Sequence, residues 1–133
     1  MVLTYLRRGF HVQNNHWVLT LVDLRTQSLN YYDSYYGPDH SSNLDLLEEY
    51  IIEEYDLAKR IQPTTWCWSR HYPKDIPRQT NTYDCGVFMW KLIEYKVHSS
   101  NLCGSDYNWT EHNMQDYRRE MVLQVSASTN HVP

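Results

Sequence analysis

The segment QTNTYDCG, Gln79 to Gly86, runs straight into Val87, Phe88, Met89, Trp90, Leu92, Ile93 and Val97. Wound as a helix, those residues are apolar around nearly the whole circumference, and such a helix is buried at the centre of a domain. The chain is therefore constrained to a fold built around one central helix. That helix begins at Cys85 or just after it and carries a thiol at its N-terminus. A side-chain amide, Gln79, stands six residues before the thiol on the approaching loop.

The elements around this helix follow from periodicity and punctuation. Trp17 to Leu24, WVLTLVDL, is β-branched and apolar, first continuously and then in alternation, which predicts a mostly buried strand. After the polar break Arg25-Thr26-Gln27, Ser28 to Asp33 reads as a second strand, and the two form a hairpin. Gly37-Pro38-Asp39 is loop punctuation. Asn43 to Arg60 is a helix with Leu44, Leu47, Ile51, Tyr55 and Ala58 on one face and Asp45, Glu49, Glu53, Asp56 and Lys59 largely elsewhere. Pro63 stops it, Thr64 to Ser69 has strand character, and Pro73 and Pro77 mark an extended loop. Thr110 caps a third helix with the stripe Met114, Tyr117, Met121 and Val125, and Ser126 to Pro133 reads as a frayed tail.

With 133 residues, one domain (1–133) is expected, able to bury roughly two thirds of its unfolded surface. An apolar fraction of 41% argues against a disordered chain. A net charge of −4 does not favour nucleic acid, whose phosphates call for clustered Lys and Arg. The three cysteines, Cys67, Cys85 and Cys103, include no CxxC and cannot all pair, so neither a zinc site nor a disulfide framework is expected and a reducing compartment is. His11, His40, His71, His98, His112 and His131 show no metal-ligand spacing, and no apolar run is long enough to span a bilayer.

Four residues can make a cysteine-nucleophile site. A helix N-terminus favours a thiolate at Cys85, through free N–H groups and the helix dipole. Gly86 lets a substrate carbonyl come close to the backbone. His16 would act as base and later protonate a leaving amine. Asp33 would hold the second imidazole nitrogen, and adjacent strands of one hairpin can bring it beside His16. Gln79 would donate to a tetrahedral oxyanion with the Cys85 N–H as second donor. Singly, each has a plainer use: an inert buried cysteine, a surface histidine, a turn aspartate, a solvated loop glutamine. Trp17 serves equally as a core ring or as a flat lid over a thin substrate. Asp84 is sufficiently explained as a helix cap, and Glu48-Glu49 and Glu53-Glu54 as a solvated face.

Taken together, NHWVLTLVDL, LNYYDS, LDLLEEYIIEE, IPRQTNTYDCGVFMWKLIEY and MQDYRREMV resemble the SUMO-specific proteases of the Ulp/sentrin type, with the adenovirus protease as a more distant relative. The order His, Asp, Gln, Cys fits that family and differs from papain-like and OTU-like proteases, which place the cysteine first. The resemblance covers roughly residues 12 to 125. It implies an α+β, papain-like cysteine-protease fold with a central mixed sheet packed by helices. It implies that His16, Asp33 and Cys85 are the triad, that Gln79 is the oxyanion glutamine, and that Trp17 helps close a narrow tunnel over a Gly-Gly terminus. The implied reaction is thiol-protease hydrolysis after the diglycine of a ubiquitin-like modifier, SUMO or a Nedd-type one, in maturation or in deconjugation. The implied setting is nucleus or cytoplasm, with the modifier and its conjugates as partners, and with no metal, cofactor, nucleic acid or membrane.

Two departures qualify the resemblance. Family domains carry a further portion before the histidine strand, whereas fifteen residues precede His16, so a domain truncated at its N-terminus is expected. Thr82-Tyr83 also replaces the small residues common before Asp-Cys-Gly. The alternative implied is a catalytically weak remnant that binds a modifier or partner without turnover.

Overall fold

The computed structural model describes residues 5–12, 16–37, 41–59, 68–98 and 106–129. Four strands form one sheet in the order β1 (Tyr5–Val12), β2 (His16–Asp23), β3 (Ser28–Tyr32), β4 (Ser69–His71). The first three are antiparallel, and β4 joins β3 in parallel, so the sheet is mixed. Helix α1 (Ser41–Lys59) lies between β3 and β4 in sequence. A parallel pair needs such a crossover. Helix α2 (Cys85–His98) and helix α3 (Met114–Thr129), entered through a 3-10 turn at Glu111–Asn113, complete the described elements.

Alternation along β2 sends its residues to two different cores. Val18 and Val22, with Leu29 and Tyr31 of β3, pack against Leu44, Leu47 and Ile51 of α1. Leu19 and Leu21, with Tyr32, pack against Val87, Phe88 and Leu92 of α2 and against Trp109 and Met114. The sheet thus lies between α1 on one face and α2 with α3 on the other. That burial on both faces explains the near-continuous hydrophobicity of WVLTLV. Each fully buried Leu, Val or Phe contributes about 1.5–3 kcal/mol, so the placement of α2 over β2 is strongly specified.

The expected hairpin is present, with Asp23 opposite Ser28. Asp23 Oδ1 accepts from the amides of Arg25 (2.9 Å) and Thr26 (3.4 Å), and Gln27 closes the turn in the left-handed region at φ 51°. The helix expected from Asn43 starts two residues earlier, and α2 begins at Cys85 as read from sequence. At Thr110 the capping box is present, although it starts the 3-10 turn rather than α3 itself.

Three readings need correction. Residues 5–12, given no element from sequence, form the edge strand β1; the charged pair Arg7-Arg8 hides its strand pattern. Ser126–Thr129 is not a frayed tail but the last turn of α3. The α3 stripe also fades along its length: Met114 is 1% exposed and Val125 63%. Pro38-Asp39, His40, Arg60, Pro63, Thr64–Cys67, Cys103, His131 and the side chains of His11, Tyr55, Ala58 and Val97 lie outside the described residues.

Candidate active site

Register alone explains how His16 meets Asp33. Leu19 pairs with Tyr32 and Thr20 with Tyr31. One step outward, Asp33 falls opposite Val18, which shares a face with His16. A diagonal neighbour on one face is within side-chain reach. In the structure His16 Nε2 and Asp33 Oδ1 are 2.7 Å apart, and both residues are buried. Asp33 Oδ1 also accepts from the Tyr35 amide at 2.8 Å, and Oδ2 accepts from the Gly37 amide at 3.1 Å. Burial by itself would push the Asp33 carboxyl up. The hydrogen bonds from His16, Tyr35 and Gly37, with the charge of His16, outweigh it and hold the carboxyl below its ordinary value of 3.8.

That shift has a consequence for acid stability. Because the folded value is depressed, Asp33 contributes stability above its unfolded value, and this contribution is lost as pH falls through the folded one. Wild-type protein is therefore expected to lose stability below about pH 4 more steeply than Asp33→Asn does. Urea midpoints at pH 6 and pH 3 check this, and parallel losses in the two proteins would contradict it.

Gly37 is more than loop punctuation. A Cβ there would lie 2.8 Å from Asp33 Oδ2, a distance real Cβ contacts do not show. Gly37→Ala must therefore displace the carboxylate that orients His16. The expected outcome is a loss of about 1–3 kcal/mol of stability, together with a fall in activity of about tenfold or more. Thermal melts and turnover check it; an alanine variant with wild-type rate would contradict it.

His16 and Cys85 line one cleft of about 960 Å³, with Trp17, Tyr35, Tyr83 and Gly86 among its walls. With Nε2 held by Asp33, Nδ1 is the remaining ring nitrogen. It is buried and finds no hydrogen-bond partner among the described residues. Cys85, 6% exposed and not in a disulfide, is the first residue of α2. The first intrahelical bond there runs from the Phe88 amide to the Asp84 carbonyl at 2.9 Å. Cys85 therefore stands at the positive end of the α2 dipole, which favours an anion there. A Cβ on Gly86 would meet only Trp17 Cδ1, at 4.0 Å, so the fold itself does not demand glycine and the space there belongs to the cleft. Trp17 is 43% exposed, which excludes the core-ring use. Tyr83, at 70%, stands on the rim beneath the Arg118 guanidinium.

Gln79 is not the solvated loop residue that composition alone suggests: it is 1% exposed. Its Oε1 accepts from Ser34 Oγ at 2.8 Å, and its backbone N–H donates to the Ser34 carbonyl at 2.8 Å. Its Nε2 reaches Asn81 O (2.9 Å), Asn81 Oδ1 (3.2 Å) and Tyr35 Oη (3.4 Å). Gln79 does not itself line the cleft, but Tyr35, which its Nε2 reaches, does.

The loop from Gln79 to Asp84 is held from three sides. Glu111 accepts from the amides of Thr80 (2.7 Å) and Asn81 (2.9 Å) and from Thr80 Oγ1 (2.6 Å). The Thr80 hydroxyl and these two amides hold the Glu111 carboxyl below its usual range. Arg118 of α3 donates from Nε to Asp84 Oδ1 at 2.8 Å and also bonds the Tyr83 carbonyl. Asn81 Oδ1 accepts from the amides of Tyr83 and Asp84, and Asn81 Nδ2 donates to Asp84 Oδ2. Sequence reading gave no role to Thr80, Asn81, Glu111, Arg118 or Tyr35, and took Gly37 only as loop punctuation and Asp84 only as a helix cap. The turn spacings Asn-x-x-Asp and Asp-Ser-x-x-Gly are the signals that could have found Asn81, Tyr35 and Gly37. Among the described residues no cluster of His, Cys, Asp or Glu could hold a metal ion.

Residues 5–131 match the family described as the Ulp1 protease family, C-terminal catalytic domain. The chain belongs to the Ulp1 protease family. It is 28% identical to ubiquitin-like-specific protease 1A of Arabidopsis thaliana over 91% of this chain and 26% of that protein. It is 30% identical to human sentrin-specific protease 2 over 83% of this chain and 18% of that protein. The chain thus spans about a quarter or less of these relatives. Among solved structures, the C-terminal Ulp1 protease domain in complex with Smt3, the yeast ortholog of SUMO, superposes with a TM-score of 0.63 at 24% identity. That match covers 88% of this chain and 49% of the other, and it shows the α+β fold. The family is one of cysteine peptidases.

Proposed function

We propose that this chain is a thiol protease that hydrolyses the bond after the C-terminal Gly-Gly of a ubiquitin-like modifier, SUMO foremost, in maturation or in release from a lysine. The observation that carries this is the buried His16 Nε2–Asp33 Oδ1 bond of 2.7 Å, with the opposite ring nitrogen buried at a cleft shared with Cys85.

In this reading His16 draws the proton from the Cys85 thiol, and the sulfur attacks the terminal glycine carbonyl. The oxyanion is met by the Cys85 amide and the Gln79 side chain. The resulting imidazolium, stabilised by Asp33, protonates the leaving amine, and water then cleaves the thioester with His16 as base. Trp17 and Gly86 face each other across the entry. A residue with a Cβ would crowd the indole where a glycine strand passes.

A second reading, a modifier-binding protein without turnover, is favoured by one feature. Val122, Leu123 and Val125 of α3 are 64%, 69% and 63% exposed, and Val122 reaches the cleft, as an apolar rim that holds a partner would. Turnover of a fluorogenic C-terminal amide of SUMO, compared with ubiquitin and a Nedd-type modifier, separates the two. Hydrolysis that needs Cys85 supports the protease, and saturable binding with no hydrolysis supports the second reading.

A further inference from the structure

Three parts of the site converge on Tyr35, a residue that neither motif reading nor family membership assigns. Its backbone N–H donates to Asp33 Oδ1 at 2.8 Å. Its ring lies on the His16 imidazole, with centroids 4.4 Å apart and planes inclined by 38°. Its hydroxyl donates to the Asn81 carbonyl and accepts from Gln79 Nε2 at 3.4 Å. Of Gln79, Asn81 and Tyr35, only Tyr35 lines the cleft that holds Cys85.

The hydrogen count at Gln79 decides what the hydroxyl does. Nε2 has two hydrogens and three acceptors around it, at 2.9, 3.2 and 3.4 Å. The longest contact is the one to Tyr35, and a bond of that length is weak. A carbonyl oxygen arriving from the cleft can replace the phenol oxygen with little loss, while the phenol keeps its own donation to Asn81. The phenol remains a donor at neutral pH: burial, then the negative potential of Cys85 and Asp33, raises it above its ordinary value of 10.0.

We propose that Tyr35 is a positioning residue that joins the two halves of the site, its ring fixing the plane of the His16 imidazole and its hydroxyl bracing the Asn81 carbonyl that also holds Gln79 Nε2, so that the Gln79 amide stays in place when an oxyanion takes over the 3.4 Å contact. This rests on the thiol-protease reading, and it divides Tyr35 into two separable parts. The ring acts through His16 and hence on the reactivity of Cys85. The hydroxyl acts through Gln79 and hence only on a step that forms an oxyanion.

Two variants and two readouts test it. The first readout is the pH profile of Cys85 alkylation by iodoacetamide, followed on the Cys85 peptide by mass spectrometry; it needs no modifier. The second is kcat and KM on a SUMO C-terminal amide. Tyr35→Phe keeps the ring, so the alkylation profile should be unchanged while kcat falls about 3- to 10-fold, the worth of one hydrogen bond, at constant KM. Tyr35→Ala removes the ring as well, so the alkylation profile should shift by about half a unit or more. Both results together support the proposal, and the absence of either overturns it. If wild-type protein alkylates normally but does not turn over the amide, the protease reading fails instead. The ring's role is then judged on alkylation alone, where an unmoved Tyr35→Ala profile overturns it.

Discussion

Cys85→Ala will reduce hydrolysis of a modifier C-terminal amide by at least about 10⁴-fold and leave the fold in place. The size of the effect comes from chemistry rather than stability. Alanine removes the only thiol among the described residues that line the cleft, so no acyl intermediate can form. The volume removed is small, and Phe88 and Val87, not the thiol, hold α2 against β2 and the aromatic cluster around Trp109. The melting temperature is therefore expected to move by no more than a few degrees, as for a loss of about 1 kcal/mol or less. His16→Ala should match this loss, because removing the nucleophile or the base alone costs about as much as removing the whole set. Rates and thermal melts measured side by side check both. Residual turnover above a percent of wild type in Cys85→Ala would mean that another group carries the reaction.

Asp33→Asn is expected to lower kcat by about 10²–10⁴-fold with KM nearly unchanged. The carboxylate accepts from three donors: His16 Nε2, the Tyr35 amide and the Gly37 amide. An asparagine NH₂ has to face one of them, donor against donor. On the Oδ1 side it inverts the imidazole tautomer, so that Nδ1 carries the proton and no longer accepts one from a thiol. On the Oδ2 side it breaks the Gly37 turn and leaves a buried amide unpaired, at a cost of about 1–3 kcal/mol. The rate loss should persist across pH, since no titration restores the tautomer. A variant within a few-fold of wild type would show that His16 is oriented by something other than Asp33.

Much of this was legible in the sequence because the elements that place the site are strongly patterned. The start of α2 at Cys85 follows from an apolar circumference that must be buried, and the His16–Asp33 pairing follows from a hairpin whose period-2 register leaves few alternatives. His16 and Cys85 thus open β2 and α2, and Asp33 directly follows β3, within hydrogen-bond reach of His16. What was not legible is the network that holds them. Tyr35, Gly37, Asn81, Glu111 and Arg118 act through hydrogen bonds between residues about 2 to 46 positions apart, and no periodicity reports a contact of that kind. Gln79 shows the difference most clearly. Its position six residues before the thiol was visible, but its burial behind Tyr35 depends on Ser34 and Asn81, two small polar residues that composition reads as loop. The edge strand β1 was obscured for a different reason: an edge tolerates Arg7-Arg8, so the alternation that marks β2 is absent.

The account turns on an imidazole primed by a carboxylate to activate one particular sulfur toward a diglycine end. The most direct measurement is covalent capture by SUMO whose C-terminal glycine has been converted to an electrophile, with the adduct mapped by mass spectrometry. The expected result is a single adduct on Cys85, none on Cys67 or Cys103, and loss of labelling in His16→Ala. No adduct on folded wild-type protein, or an adduct on Cys85 that forms at the same rate without His16, would contradict it.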